Sequence, residues 1–496
     1  MVSLGADGIS SSMRLILVAL VVGVLALSLR IAYVDATVVD TPVRADARNY
    51  VIYAQNMLKH GVFSKQYPAE NPTPDSYWAP GFPAVVAGAI AAVGEKGAYK
   101  LLLDYHAGIG ALTAVCTVLI GGLFLPLWGA FLGGVLVALS PHAISMGGYL
   151  LTETTFGFLV TVALYVTLSG FVRHLRFATA AGGLLFGVAY MVNPVILFAP
   201  FLIAAVVLMC RGRSPSLEAS GPRGAVGRRV VYFLIPVVCV AALWSARNFI
   251  SVPKDAQSAS TRALTNFVIG AHPDFFNMYR RNPRDPHNPA TIDSKGAGRS
   301  WGEFLPTLLH RIEANPWGYA RWYILEKPYV LWSWNILVGQ GDIYVYPVIK
   351  SLYYSSKPAI ATYSLMKTLH APLLMLALLG VPLLGLELYR GRLGLPIAVL
   401  YTTLIYVTAV YVIFQAEPRY SVPFRPLLYL CAVYVLAEAV RVGRHSLQES
   451  RKVRSQPAKP EPAVPAPVAD AVVASFGPSA ADGGDSSQAC TRGDVA

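Results

Sequence analysis

Charge is what this 496-residue chain has little of: Asp, Glu, Lys and Arg together make up 14% of it, against 55% hydrophobic residues. Soluble domains carry roughly 25% charged residues, so a water-soluble globule is excluded and a membrane protein is indicated. Five cysteines are too few and too scattered for a disulfide framework. Four of them, Cys116, Cys210, Cys239 and Cys431, lie in apolar runs and read as free thiols. No HExxH, P-loop, CxxC or Asp-x-Asp motif occurs, so zincin, nucleoside-triphosphatase, thiol-redox and metal-dependent nucleotide-sugar chemistries have no signature here. Gly108-Ile-Gly110 lies inside an apolar run without the rest of a dinucleotide fingerprint and reads as helix packing. Repeats at solenoid or propeller periods are absent too.

What is there is a series of long apolar runs, which excludes barrel strands and implies a polytopic helical protein. Runs at 13–34, 98–123, 128–141, 150–171, 178–192, 194–209, 230–244, 372–388, 393–413 and 426–440 give about ten spans. The first is too long, and lacks the cleavage site, for a signal peptide. Segment 81–94 is apolar but short, and reads as an interfacial or re-entrant helix. Short basic turns (Arg173, His174 and Arg176; Arg211 to Arg229; Arg390 and Arg392) face the cytoplasm by the positive-inside rule. The net charge of +13 is assigned on the same ground to loop anchors and lipid phosphates, not to nucleic acid.

The stretch 44–83 therefore lies outside, with Glu153 and the segments after Arg247 and Ile413. Its Tyr50, Tyr53, Ala54, Met57 and Leu58 mark one face of a helix. Asp46, Asn49, Gln55, Asn56 and Lys59 fall off that face, so a helix lying along the membrane surface is expected, stopped by Gly61. Asp46 just before the apolar run reads as an N-cap. The helix dipole favours negative charge there, which suits a general base or a metal ligand. Glu153 heads a span in the same way. Outward-facing Arg247, Arg262, Lys327 and Arg419 are the candidate cations, and acids beside cations at a lipid edge suit a lipid phosphate as leaving group.

Taken in order, Asp46-Ala-x-x-Tyr-x-x-x-Ala-x-Asn56, Ala79-Pro-Gly-Phe-Pro83, Leu139-Ser-Pro141, Leu150-Leu-Thr-Glu153, Trp244-Ser-Ala-Arg-Asn248 and Pro418-Arg-Tyr-Ser-Val-Pro423 resemble the GT-C superfamily of polyprenyl-phosphate-sugar-dependent glycosyltransferases. Within it, the protein O-mannosyltransferase and lipid A aminoarabinose transferase branch (glycosyltransferase family 39-like) is the most similar. The resemblance covers about 13–440 and departs from the family where Asn193-Pro194 replaces Arg-Pro and where Ala47 follows Asp46.

The resemblance implies an all-α integral membrane bundle of the GT-C kind, with interfacial helices in the first outer loop and a second, long outer loop. Segment 1–12 would be a cytoplasmic tail and 13–247 the membrane module with catalytic loops 35–97 and 141–153. An extracytoplasmic region with interfacial aromatic helices would occupy 248–367, C-terminal spans 368–441, and a disordered cytoplasmic tail 442–496. It further implies an inner-membrane enzyme with an extracytoplasmic site that moves a hexose or pentose from a polyprenyl-phosphate donor to a protein, lipid or glycan. Asp46 and Glu153 would be catalytic, and Arg247, Arg419, Lys327 and Arg262 would hold the donor phosphate. No organic cofactor is implied, and a divalent cation is left open. A transporter or flippase, or a polymerase or ligase of lipid-linked sugars, is the alternative.

Overall fold

The computed structural model describes residues 6–211, 224–273, 275, 278, 287–391 and 393–455. Seven helices among these are long and apolar enough to cross a membrane, and three shorter apolar helices accompany them. In chain order the first half holds α1 (Ala6–Ala36), α2 (Ala45–His60), α3 (Gly81–Gly121), α4 (Leu127–Leu139), α5 (Pro141–Met146), α6 (Thr152–Val172), α7 (Arg176–Val192) and α8 (Ala199–Met209). The second half holds α9 (Gly224–Ser251), α10 (Ala259–Gly270), α11 (Pro289–Lys295), α12 (Trp301–Ala314), α13 (Lys327–Trp332), α14 (Lys357–Tyr389), α15 (Leu395–Ile413), α16 (Pro418–Ser421) and α17 (Arg425–Ser455).

Helix α3 packs on α1, α4 and α6, and α7 lies between α6 and α9. Small residues set these distances. A Cβ at Gly183 would strike the Phe233 carbonyl, and one at Gly134 would strike Val118. The expected separate helix over 81–94 is present, joined to the following span across a break at Gly94, whose φ of 74° and ψ of 168° suit only glycine.

Three expectations need correction. The apolar face expected on the surface helix α2 turns largely to the protein, with Ala47, Tyr50, Ile52, Tyr53 and Ala54 buried and Leu58 exposed. Asn56, expected to face away, is also buried, and its amide donates to Ser64 O (2.8 Å) and Gln66 O (2.9 Å), folding the following loop back on the helix. At the N-terminus, helix begins at Ala6, inside the expected tail. At the C-terminus, α17 continues through 442–455, because that segment is free of proline and carries the helix-compatible pair His445–Glu449. Residues 456–496 lie outside the described structure, as does Arg392.

The loop expected at 248–367 is mostly helical, and a short antiparallel pairing of Val38–Val39 with Val348–Lys350 joins it to the start of the first loop. Asp40 N adds a bond to Pro347 O at 2.8 Å. Two distant stretches are thus held side by side before α2 begins.

Helix α6 serves as a ruler. Its 21 residues rise about 31 Å, close to the hydrocarbon thickness of about 30 Å. Glu153 stands at one end, and at the other Arg229 of α9 donates to Phe171 O (3.3 Å) and to His174 Nδ1 (2.6 Å). The basic turns therefore gather at the end opposite Glu153. In a cysteine-free background, Glu70→Cys should react in intact cells with a membrane-impermeant maleimide, and Arg173→Cys only after lysis. Equal labelling of both before lysis would refute this arrangement.

Candidate functional site

Arg419 assembles the site. Its Nη2 lies 2.9 Å from Asp46 Oδ2 and its Nε 3.7 Å from Glu153 Oε1 and 3.5 Å from Glu417 Oε2. Three carboxylates from three separate elements thus converge on one guanidinium. The segment that carries Arg419 is close to α6 because Gly157 has no side chain; a Cβ there would meet Pro423 Cα at 3.1 Å.

Asp46 does not cap its helix. The N-cap position is Arg44, in extended backbone, and makes no side-chain cap bond. The tyrosine hydroxyl of Tyr346 takes the capping role, accepting from Ala47 N (3.4 Å) and donating to Arg44 O (3.2 Å). A backbone donor in the first turn is thereby satisfied from another loop. Ala45, between them, sits at φ 43°, a conformation unfavourable for a residue with a Cβ. Freed from capping, Asp46 turns to Arg419, and no described hydrogen bond uses its Oδ1.

Glu153 is buried, and Thr152 Oγ1 donates weakly to its Oε2 at 3.5 Å. Glu417 was not among the residues expected in the site. It is 1% exposed; its Oε1 accepts from Leu337 N (3.2 Å) and its Oε2 from Arg419 N (2.9 Å). Burial pushes its carboxyl up to about 7, against the opposing pull of Arg419. A sequence signal did exist: an acid directly before Pro418 marks a helix start with its cap.

The four expected phosphate ligands separate. Arg419 is surrounded by acids, which disfavour a phosphate beside it, so its role is reassigned to holding them. Arg247 donates to Asp75 O (2.8 Å), Asn248 Oδ1 (3.0 Å) and Phe63 O (3.5 Å), which ties the end of α9 to the first outer loop. In that loop Asp75 also accepts from the Tyr53 hydroxyl and from Lys65 N.

Lys327 is completely buried, with Nζ 3.0 Å from Gly270 O and 2.9 Å from Phe414 O. Burial pulls its ammonium down to about 7, and both carbonyls accept from it. It fastens α10 to the end of α15 and is corrected to a structural residue. Arg262 alone keeps the expected character. Half-buried, it lies 3.5 Å from the Trp78 ring centre and has no described carboxylate partner.

Arg262 lines a cavity of about 350 Å³ together with Trp78, Asn193, Phe198, Tyr411 and Tyr420. Tyr420, the neighbour of Arg419, is among the described lining residues, whereas Asp46, Glu153 and Arg419 themselves are not. Aromatic and aliphatic walls with one cation form a place for an amphiphilic anion. The residues do not fit a divalent cation, since the space between the acids is held by a guanidinium. Among the described residues no group of three or more His, Cys, Asp or Glu stands close enough to bind one.

No family model and no curated protein matches the chain. Among solved structures it is similar to an oligosaccharyltransferase from Archaeoglobus fulgidus, AglB with an inhibitory peptide and a dolichol-phosphate, at 12% identity and a TM-score of 0.46 over 89% of this chain and 52% of that one. The apo form gives 14% identity and a TM-score of 0.45 over the same shares. ArnT from Cupriavidus metallidurans bound to undecaprenyl phosphate gives 16% and 0.33 over 87% and 78%. The chain spans about half the length of the archaeal oligosaccharyltransferase.

A raised carboxyl at Glu417 has a consequence for stability. The folded state holds its proton more tightly than the unfolded one, so this group's contribution is complete below pH about 4.5 and is lost as pH rises through about 7. Glu417→Gln stays neutral throughout. Thermal unfolding in detergent should show the wild type losing ground to Glu417→Gln between pH 4.5 and 8; a pH-independent gap would contradict the assignment.

Proposed function

We propose that this chain is a membrane glycosyltransferase of the GT-C kind, moving a hexose or pentose from a polyprenyl-phosphate donor to a protein, lipid or glycan on the extracytoplasmic face. One observation carries the reading: a partly exposed carboxylate, Asp46, is fixed by the largely buried guanidinium of Arg419, whose neighbour Tyr420 lines an apolar cavity that contains a separate cation, Arg262. The ordered motifs of the sequence agree with it, and the basic turns opposite Glu153 support the sidedness.

The donor's chain lies in the cavity among Trp78, Phe198 and Tyr411, with its phosphate against Arg262. Asp46 accepts the proton of the acceptor's hydroxyl or amine as the heteroatom's lone pair attacks the anomeric carbon. The bond from that carbon to the phosphate oxygen breaks, and the electron pair leaves with the phosphate, whose charge Arg262 stabilises. A phosphate needs no strong acid to leave. One direct displacement inverts the anomeric centre. Glu153 and Glu417 act through Arg419, holding Asp46 in place.

The test is transfer by the purified protein in liposomes, supplied with synthetic polyprenyl-phosphate sugars. Acceptors are identified by mass spectrometry of envelope lipids and proteins from cells with and without the chain. Asp46→Asn should lower transfer by roughly 10²–10⁴-fold. Its stability should change by only about 0.2–1 kcal/mol, because the lost ion pair is partly exposed. Arg262→Gln should cost about tenfold to a few hundredfold. Normal transfer by Asp46→Asn would remove it as the base, and loss of transfer in neither variant would remove the cavity as the donor site.

A further inference from the structure

At the end of α6 remote from the acid cluster lies a second recess, of about 550 Å³, lined by His174, Arg176, Phe177, Arg228, Arg229 and Tyr232. Three guanidiniums and an imidazole share it, and no Asp or Glu is among its described lining residues. Arg229 is buried, and both of its described hydrogen bonds, to Phe171 O and His174 Nδ1, come from Nη1. A buried cation is costly unless a negative charge compensates it, so the recess favours an anion.

Its floor has the same polarity. Helix α7 starts here with Leu175 as its N-cap and no side-chain cap bond, leaving first-turn N–H groups open to a ligand. Beside the cations the surface is apolar: Leu175 is 51% exposed, Phe177 78%, Val231 51% and Ile235 52%. A free inorganic anion has no use for such a border. Acyl chains do.

We propose that this recess binds the phosphate headgroup of an anionic phospholipid, with its acyl chains along α9 and Phe177. Arg176 and Arg228, both exposed, contact the phosphate from two sides, while Arg229 supplies charge from below. The site is distinct from the candidate donor site by the length of α6.

Native mass spectrometry of the full chain in detergent tests it, with phosphatidylglycerol, phosphatidylcholine and inorganic phosphate added in separate arms. Phosphatidylglycerol should remain bound at one equivalent under activation that strips phosphatidylcholine. Arg176→Gln combined with Arg228→Gln should weaken its retention by about ten- to thirtyfold. The pair Lys254→Gln and Lys357→Gln, which removes the same charge elsewhere, should leave it unchanged. Equal retention of both lipids, equal loss in both double variants, unaltered retention in Arg176→Gln/Arg228→Gln, or displacement of the lipid by inorganic phosphate would each overturn the proposal.

Discussion

A guanidinium largely removed from water needs negative charge about it, and much of the architecture around the site answers that requirement at Arg419, whose side chain is 15% exposed. The four-residue α16 carries it, and Glu417 caps that helix. Gly157 lets α6 come near enough for Glu153 to take part. Tyr346 starts α2 where Asp46 can reach. Removing any one of these would leave the others holding charge with too few partners, so the cluster behaves as a unit whose members are not independently replaceable. Of its carboxylates Asp46 is the most exposed, at 27% of its side chain.

Neutral backbone does the rest of the positioning. Arg247 and Lys327 are cations without described acidic partners, and both are bound to carbonyl oxygens at helix and loop ends. For Lys327 these oxygens lie at the C-terminal ends of α10 and α15, where carbonyls lack an intrahelical partner and a long cationic side chain reaches them well; for Arg247 they belong to the loop after α2. The outer loops are therefore fastened to the bundle by bonds that need no carboxylate, which leaves the acids to gather around Arg419.

The sequence was most legible where one short segment determines the outcome. Hydropathy marked the spans because a helix in lipid must be apolar along its whole length. The break at Gly94 and the stop at Gly61 were legible because left-handed backbone calls for glycine. Asp46, Glu153 and Arg419 stood out as ionisable residues at the ends of apolar runs, and the structure brings them together. Their roles were less legible, since a residue's type does not name its partner. Lys327 and Arg262 look alike in sequence, yet one is sealed against two carbonyls and the other faces a cavity. Asn56 broke the apolar face of α2 and is buried all the same, because the returning loop supplies two carbonyls. The tyrosine that starts α2 lies about 300 positions downstream, beyond the reach of any local capping rule.

The bond between Asp46 and Arg419 joins residues 373 positions apart. At roughly 5–20 residues per second of synthesis, about 20–75 s separate the emergence of the two. During that interval the first loop exists without the cation that orients its carboxylate. A chain truncated before residue 419 would hold Asp46 but not the partner that sets its geometry.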